Sequence, residues 1–327
     1  MTPASPAVQD LKKLESVDDF FIYLQTNNYS TKTLYNYEKD LLLLAHFLNL
    51  KKITVLELDK RLVNEFKAFL SSPDRPTPSG GLESNRRLSS ASINRCLSAV
   101  RTYIRFLIDV DVKCPVMPDQ FKMVRKERAH PHVAELNEII ALIEAPSSLE
   151  NDPEVSARNR AMLEVLFATG MRVSELVSLN RRDLNNSGKI FITGKGRKQR
   201  FVYLTERAKH HLDNYLALRQ DSQEALFTPT QGKTVNDSHR RISTRYVEGI
   251  LKKYREALRI NVPITPHSLR HGFATYLAES GASPAAIQIL LGHESLNTTT
   301  RYVNASDRFA EETHQKYHPL TDVSDDK

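Results

Sequence analysis

Three segments near the C-terminus carry most of the information in this chain: TPHSLRHGFATYL (265–277), ILLGH (289–293) and NTTTRYV (297–303). Thr265 followed by proline is a strong helix start, because threonine caps the free N–H groups and proline suits the first helical position. This start puts His267 and Arg270 three residues apart on one face of the first turn. The free N–H groups and the positive dipole end of such a turn suit a phosphate.

A second helix is predicted to begin in the same way at Ser283-Pro284 and to end at Gly292, which leaves His293 at its exposed end. Tyr302 follows nine residues later, on a short helix weakened by three consecutive threonines. One arginine, two histidines and one tyrosine are therefore presented at helix ends. Their side chains can converge on a single anion.

Two more basic positions precede these segments. In ATGMRVSELVSL (168–179), Gly170 ends one predicted helix and Arg172 lies at the start of the next. Residues 189–193 and 200–204 alternate as two short strands, joined by a tight basic turn that contains Lys195.

Length and composition indicate the broad class of protein. A chain of 327 residues can form two domains, and its net charge of +7 suggests, without requiring, a nucleic-acid partner. The two cysteines, Cys96 and Cys114, form no C-x-x-C pair, which argues against a disulfide framework or a zinc knuckle. We expect a cytoplasmic protein without a membrane partner, because no apolar run approaches a membrane span and residues 1–10 lack a signal pattern.

The sequence predicts a mainly α fold. Residues 14–111 read as an N-terminal helical bundle, 112–133 as an extended linker, 134–318 as a mixed, mainly helical domain with a small antiparallel β-sheet, and 319–327 as a disordered tail. In the second domain, further helices are expected at about 135–145, 157–168, 205–219 and 240–258. Basic residues of the bundle and the linker are expected to follow a DNA backbone, although a solvated helix face is the plain alternative.

Each candidate residue also has an ordinary explanation. Arg172 could pair with Glu175, Lys195 could be a solvated turn lysine, His293 could cap a helix and Tyr302 could pack in a core. His267 and His271 have zinc-like spacing, but no third ligand follows at a matching distance. The helix–turn–helix pattern at 169–184 alone would suit a non-catalytic DNA-binding regulator.

The combined order of these motifs resembles the tyrosine recombinase/integrase family, and within it the Xer type of site-specific recombinase. The resemblance is carried by ATGMRVSELVSL, TGKGRKQR (193–200), HSLRHGFATYL, LLGH and TTTRYV, and it covers essentially the whole chain. It implies that residues 14–111 form the family's core-binding, SAM-like domain and that THQKYHPL (313–320) docks on a neighbouring protomer. Gly272, where Thr or Ser is common, and a longer loop at 73–88 depart from the family pattern without touching a catalytic position.

The resemblance implies a metal-independent reaction that needs no cofactor. Tyr302 would attack the scissile phosphate to give a 3′-phosphotyrosyl bond, and Arg172 and Arg270 would clamp its oxygens. Lys195 would protonate the leaving 5′-oxygen, while His267 and His293 would bind the phosphate by hydrogen bonds. The candidate DNA contacts are Arg86, Arg87, Arg95, Arg101, Arg105, Arg197, Lys198, Arg200, Arg240, Arg241 and Arg245.

The implied partner is a double-stranded DNA recombination site, bound by a homo- or heterotetramer on two DNA sites. A second recombinase or a DNA translocase is a further candidate partner. The expected role is Xer-like resolution of chromosome or plasmid multimers, in support of chromosome partition and cell division. Integration or excision of a mobile element, a type IB topoisomerase and the non-catalytic regulator are the alternatives.

Overall fold

Separate hydrophobic cores divide the chain into two compact units, residues 1–130 and 131–327. The computed structural model describes residues 11–75, 87–125, 134–185, 187–193, 199–230, 240–292, 311–312 and 314–319. The fold is mainly α, as predicted. No helix among these residues combines the length and the apolar character that crossing a bilayer requires.

The first unit is a helical bundle. Its helices are α1 (Val17–Thr26), α2 (Thr31–Lys51), α3 (Lys60–Ser71) and α4 (Ser90–Asp109), with short 3₁₀ turns at Val55–Glu57 and Pro118–Gln120. Ser30 caps α2 and Asp59 caps α3, because each side chain accepts a hydrogen bond from a backbone N–H of the first turn. Ser16 precedes α1 with a φ of 49° and makes no side-chain cap hydrogen bond.

Residues 112–125 pack on this first unit, where the sequence suggested the start of an extended linker. Val116 and Phe121 are fully buried in the core of the bundle. The Asn94 side chain of α4 donates to the Val124 carbonyl at 3.0 Å and accepts from the Val124 N–H at 2.8 Å. The prolines and charges of this stretch suggested an exposed chain, whereas its spaced apolar side chains anchor it.

The second unit surrounds one buried helix. Its elements are α5 (Leu136–Glu144), α6 (Pro146–Leu149), α7 (Pro153–Thr169), α8 (Val173–Ser178), β1 (Lys189–Thr193), β2 (Gln199–Tyr203), α9 (Glu206–Leu218), α10 (Thr244–Ala257), α11 (Pro266–Glu279) and α12 (Pro284–Leu291). The two strands pair antiparallel, as the sequence predicted, and Ile190 lies opposite Val202. Every residue of α7 from Arg158 to Thr169 is buried, so α7 is the central element of this core.

Gly170 ends α7 in the left-handed conformation, with a φ of 58°. A Cβ at this position would lie 2.4 Å from Cδ1 of Phe273 on α11, so both the backbone conformation and the packing require glycine. The turn that Gly170 makes brings Arg172 to the start of α8.

The described part of the C-terminal tail packs against its own unit. His314 and His318 are buried, and His314 Nε2 donates to the Ala168 carbonyl at 2.5 Å near the end of α7. Glu311 forms a 2.8 Å ion pair with Lys189 on β1. The sequence resemblance implied that this tail docks on a neighbouring protomer; here the same segment covers the end of its own helix α7.

Candidate active site

Arg172 is fixed at the start of α8 by one carboxylate. Its backbone N–H donates to Glu175 Oε2 at 2.8 Å, and its Nη1 donates to Glu175 Oε1 at 3.0 Å. Pairing with Glu175 is the ordinary structural role that the sequence also allowed for Arg172. The Arg172 side chain nevertheless remains 36% exposed, so pairing with Glu175 leaves part of the guanidinium open to solvent or to a ligand.

Arg270 lies on α11 with its side chain turned inward. Its Nη1 donates to the Gly170 carbonyl at 2.7 Å, and its Nη2 donates to the Leu291 carbonyl at the end of α12. The residue is only 6% exposed. One guanidinium thus joins three segments: α11, the turn before Arg172 and the end of α12.

Positive charge exceeds negative charge around Arg270. Burial, followed by the charges of Arg172 and Arg200, lowers the pKa of Arg270 to about 10, and Glu175 opposes that change. Arg270 therefore stays protonated at neutral pH. Two guanidinium groups and one carboxylate act on Arg270 among the described residues. With Arg270 itself, three positive charges face one negative charge, which leaves an excess of positive charge where an anion would be stabilised.

Glu175 keeps its own charge in this cluster. Burial would raise the pKa of its carboxyl, but the hydrogen bonds from Arg200 and from the Arg172 backbone, with the nearby positive charges, lower that pKa below its ordinary value. The carboxylate is therefore ionised at neutral pH and orients the arginines around it.

His267 lies in the first turn of α11 and is exposed. The predicted helix start is confirmed: Pro266 takes the first position, and the Thr265 side chain accepts from the Ser268 N–H at 3.1 Å. His267 borders a cavity of about 460 Å³ that Val173, the first residue of α8, also lines. The structure thus places His267 near the start of the helix that Arg172 precedes.

Lys195, His293 and Tyr302 lie outside the described residues. The chain enters and leaves the hairpin turn that contains Lys195 at Thr193 and Gln199, which form the end pair of the β1–β2 ladder. The predicted helix stop before His293 is confirmed, because α12 ends at Gly292 with a φ of 63°.

The candidate DNA contacts of the first unit differ in their surroundings. Arg86 lies outside the described residues, Arg87 and Arg105 are exposed, and Arg101 is half-buried. Arg95 instead forms a bidentate pair with Asp40, at 3.0 and 2.9 Å. Asp40 is 1% exposed, and burial raises the pKa of its carboxyl against the opposing effect of Arg95. Arg95 therefore compensates a buried carboxylate, whatever else it contacts.

The candidate contacts of the second unit also differ. Arg197 and Lys198 lie outside the described residues, and Arg245 is exposed on α10. Arg240 donates to the Pro229 carbonyl at 3.0 Å, and Arg241 donates to the Leu179 carbonyl at 2.9 Å. These two arginines therefore brace loops of their own unit, and their contact with DNA stays a prediction.

Two features of the cluster around Arg172 were not predicted from the sequence pattern alone. Glu175 appeared only as a possible partner of Arg172, although its position three residues after a helix start is a recognised capping signal. Arg200 was assigned to DNA, whereas its side chain is only 9% exposed and pairs with Glu175. A pairing across 25 residues has no local sequence signal.

Comparisons with known proteins agree with this architecture. The family described as "Phage integrase family" matches residues 133–308, and "Phage integrase, N-terminal SAM-like domain" matches residues 17–110. The chain is 33% identical to tyrosine recombinase XerD of Oceanobacillus iheyensis over 93% of this chain and 98% of the relative. It is 34% identical to tyrosine recombinase XerC of Leptospira interrogans, over 93% of each chain.

A solved structure shares the fold. The structure of XerH site-specific recombinase bound to palindromic difH substrate, a post-cleavage complex, matches with a TM-score of 0.65. The two chains are 21% identical, over 93% of this chain and 84% of the other.

Proposed function

The chain belongs to the phage integrase family of tyrosine recombinases, and on that premise we propose that it cuts and rejoins double-stranded DNA through a covalent bond to Tyr302. The observation that carries the proposal is the arginine cluster. Arg172 and Arg270 come from separate segments and lie in one region of net positive charge. A scissile phosphate carries the negative charge that such a cluster stabilises.

The residues divide the chemistry as follows. Tyr302 attacks the phosphorus and displaces the 5′-oxygen, so the phosphate becomes bonded to the tyrosine and a 5′-hydroxyl is released. A phenol of ordinary pKa ~10 needs help to ionise, which His267 supplies by taking its proton. Arg172 and Arg270 bind the nonbridging oxygens as charge builds up on them, and His293 donates a hydrogen bond to the same phosphate.

Lys195 protonates the departing 5′-oxygen. The bond to tyrosine conserves the energy of the phosphodiester, so the 5′-hydroxyl of another strand reverses the step without ATP. Because the cations of the site are side chains, we propose that the reaction needs neither a metal ion nor a cofactor.

The biological role that we propose is Xer-like resolution of chromosome or plasmid multimers in the cytoplasm. Relatives at 33% and 34% identity are named XerD and XerC, and the alignments span nearly the full length of both chains. Such a reaction brings together four protomers on two DNA sites, either four copies of this chain or two copies paired with a second recombinase. Activation by a DNA translocase is an additional element of this proposal.

The test is a covalent-trapping assay. The protein is incubated with nicked genomic DNA fragments in EDTA, and covalent protein–DNA adducts are sought on a denaturing gel. We expect an adduct that Tyr302→Phe abolishes with unchanged DNA affinity and that Tyr317→Phe, a matched change in the tail, leaves intact. An adduct that persists in Tyr302→Phe would overturn the assignment of the nucleophile.

Sequencing the trapped DNA ends then identifies the recombination site. A second assay uses this site to test the biological role. A plasmid dimer that carries two copies of this site should be resolved to monomers in EDTA, with or without a candidate partner recombinase. Relaxation of a supercoiled plasmid that lacks the site would instead favour a type IB topoisomerase. Tight DNA binding without any adduct would favour a partner-dependent enzyme or the non-catalytic regulator, and adding a candidate partner recombinase decides between these two.

A further inference from the structure

The Arg200 side chain is built into the protein. Its Nη1 and Nη2 donate to the two oxygens of Glu175 at 3.0 and 2.8 Å, and its Nε donates to the Leu290 carbonyl at 3.0 Å. Only 9% of the side chain is exposed. A bidentate pair combined with a third hydrogen bond fixes the plane of the guanidinium.

The carboxylate that Arg200 holds is the one that positions Arg172. Glu175 Oε1 accepts from both Arg172 Nη1 and Arg200 Nη1, and Glu175 Oε2 accepts from both the Arg172 backbone N–H and Arg200 Nη2. If Arg200 releases Glu175, the carboxylate can rotate about its own side chain. Glu175 then no longer holds the Arg172 guanidinium in one orientation.

The third hydrogen bond ties Arg200 to the end of α12. Leu290 is the second-to-last residue of that helix, and Gly292 follows it with a φ of 63°. A Cβ at Gly292 would lie 2.9 Å from Cδ of Arg200, so the arginine packs directly beneath this glycine. The helix end that leads into His293 therefore rests on the Arg200 side chain.

These contacts argue against the DNA contact that the sequence suggested for Arg200. Its Nε, Nη1 and Nη2 all donate to protein atoms, so every nitrogen of the guanidinium has a protein partner. A guanidinium in this position can act on a phosphate through its charge and through the groups that it holds, without contacting the phosphate itself.

We propose that Arg200 is a positioning residue of the strand-cleavage step, which orients Arg172 through Glu175 and sets the helix end before His293 without contacting the phosphate. The inference rests on the proposed function, because it assigns a role within that reaction. Displacements of about 1 Å in a catalytic group cost up to about 100-fold in rate. Arg200 should therefore control the rate of cleavage while DNA affinity stays the same.

The central variant is Arg200→Lys, which keeps the charge but cannot span both oxygens of Glu175 and the Leu290 carbonyl. On the trapped, nicked site at saturating protein, we expect the rate of adduct formation to fall about 10- to 100-fold. The Kd for the site should stay within about threefold, because the total charge is unchanged. Arg259→Lys, the same exchange at an exposed arginine just after α10 that belongs to no proposed contact, should keep the full cleavage rate.

A double-mutant cycle on the cleavage rate tests whether Arg200 acts through Glu175. Glu175→Asp keeps the charge but withdraws the carboxylate by one methylene. If both residues act as one unit, the double variant should cleave no more slowly than the slower single variant. Losses that multiply would mean that the two side chains act independently. Thermal unfolding of each variant establishes that the rate is measured on folded protein.

Failure of the inference is distinguishable from failure of the proposed function. If the unmodified protein binds DNA but forms no adduct, either alone or with a candidate partner recombinase, the proposed function falls, and the inference falls with it. If the unmodified protein forms the adduct and Arg200→Lys cleaves at the full rate with weakened binding, only the positioning role is wrong. Should Arg200→Lys not fold, Glu175→Asp decides, since full cleavage by that variant would also overturn the role of the pair.

Discussion

The Arg270 guanidinium donates a 2.7 Å hydrogen bond to the backbone carbonyl of Gly170, one hundred residues earlier in the chain. Gly170 stands two positions before Arg172. The Arg270 side chain is therefore tied to the backbone turn that leads to Arg172, the other arginine of the proposed phosphate clamp.

Arg270→Lys is expected to slow cleavage more than it weakens binding. A lysine cannot reach the Gly170 and Leu291 carbonyls and a phosphate oxygen with one fork, so the clamp loses its geometry. We expect adduct formation to fall about 100-fold or more, with a Kd for the trapped site within several-fold of the original. Single-turnover trapping and gel-shift titration measure the two quantities. Arg61→Lys, at a side chain of the first unit that is 86% exposed, is the control. An equal loss of both quantities in Arg270→Lys would make Arg270 a binding residue.

Gly170→Ala should destabilise the second unit by roughly 2–4 kcal/mol. Alanine would meet both the left-handed backbone and the Phe273 ring, which lies 2.4 Å from the added Cβ. Urea unfolding of the full chain measures the change in the transition of that unit. Gly249→Ala is the matched control: this glycine lies within α10 with no atom near its would-be Cβ, so the exchange should stabilise the protein by about 0.5–1 kcal/mol. Equal effects at both positions would show that the Phe273 contact is not restrictive.

Tail packing is expected to weaken as the pH falls from about 6.5 to about 4. Burial lowers the pKa of His314 to about 4, and burial together with His314 lowers that of His318 well below its ordinary value. An unfolded tail binds protons at higher pH than the packed tail, so the stability is fully present above the unfolded pKa near 6.5 and is lost on acidification. The loss should amount to about 1–3 kcal/mol, measured by urea unfolding between pH 7 and pH 4.5.

His318→Phe is the matched variant for this pH dependence. A phenyl ring keeps the aromatic contacts of His318 with Phe167 and Phe273 but takes up no proton. The slope of stability against pH should therefore become smaller. An unchanged slope would mean that other groups cause the acid sensitivity.

Phe121→Ala should destabilise the first unit by about 3–5 kcal/mol, as expected for removal of a fully buried aromatic ring. Met117→Ala, four residues earlier at a side chain that is 55% exposed, should have little effect. Urea unfolding of the full chain again gives both values. A negligible effect of Phe121→Ala would restore the extended linker that the sequence suggested.

Local chemistry made the helix ends predictable. Thr265-Pro266 and Ser283-Pro284 carry their own start signals, and Gly170 and Gly292 their own stop signals, so each of these ends lies where the sequence placed it. The same signals placed Arg172 and His267 at the helix starts where the structure has them.

Contacts between distant segments were not predictable from the same signals. The pairs Arg200–Glu175 and Arg95–Asp40 form only because the fold brings separate elements together. The residue type alone does not indicate whether an arginine is exposed or buried. The prediction of an extended linker after Val112 was wrong for a related reason. Its prolines are local signals, whereas the burial of Val116 and Phe121 depends on the surface that α4 and its neighbours provide.

The two hydrophobic cores have no residue in common among the described parts of the chain. A gene that exchanged the codons before residue 126 with those of a relative would therefore keep the described core residues of each unit together. Such an exchange would replace one unit of the enzyme while the sequence of the other unit stays unchanged.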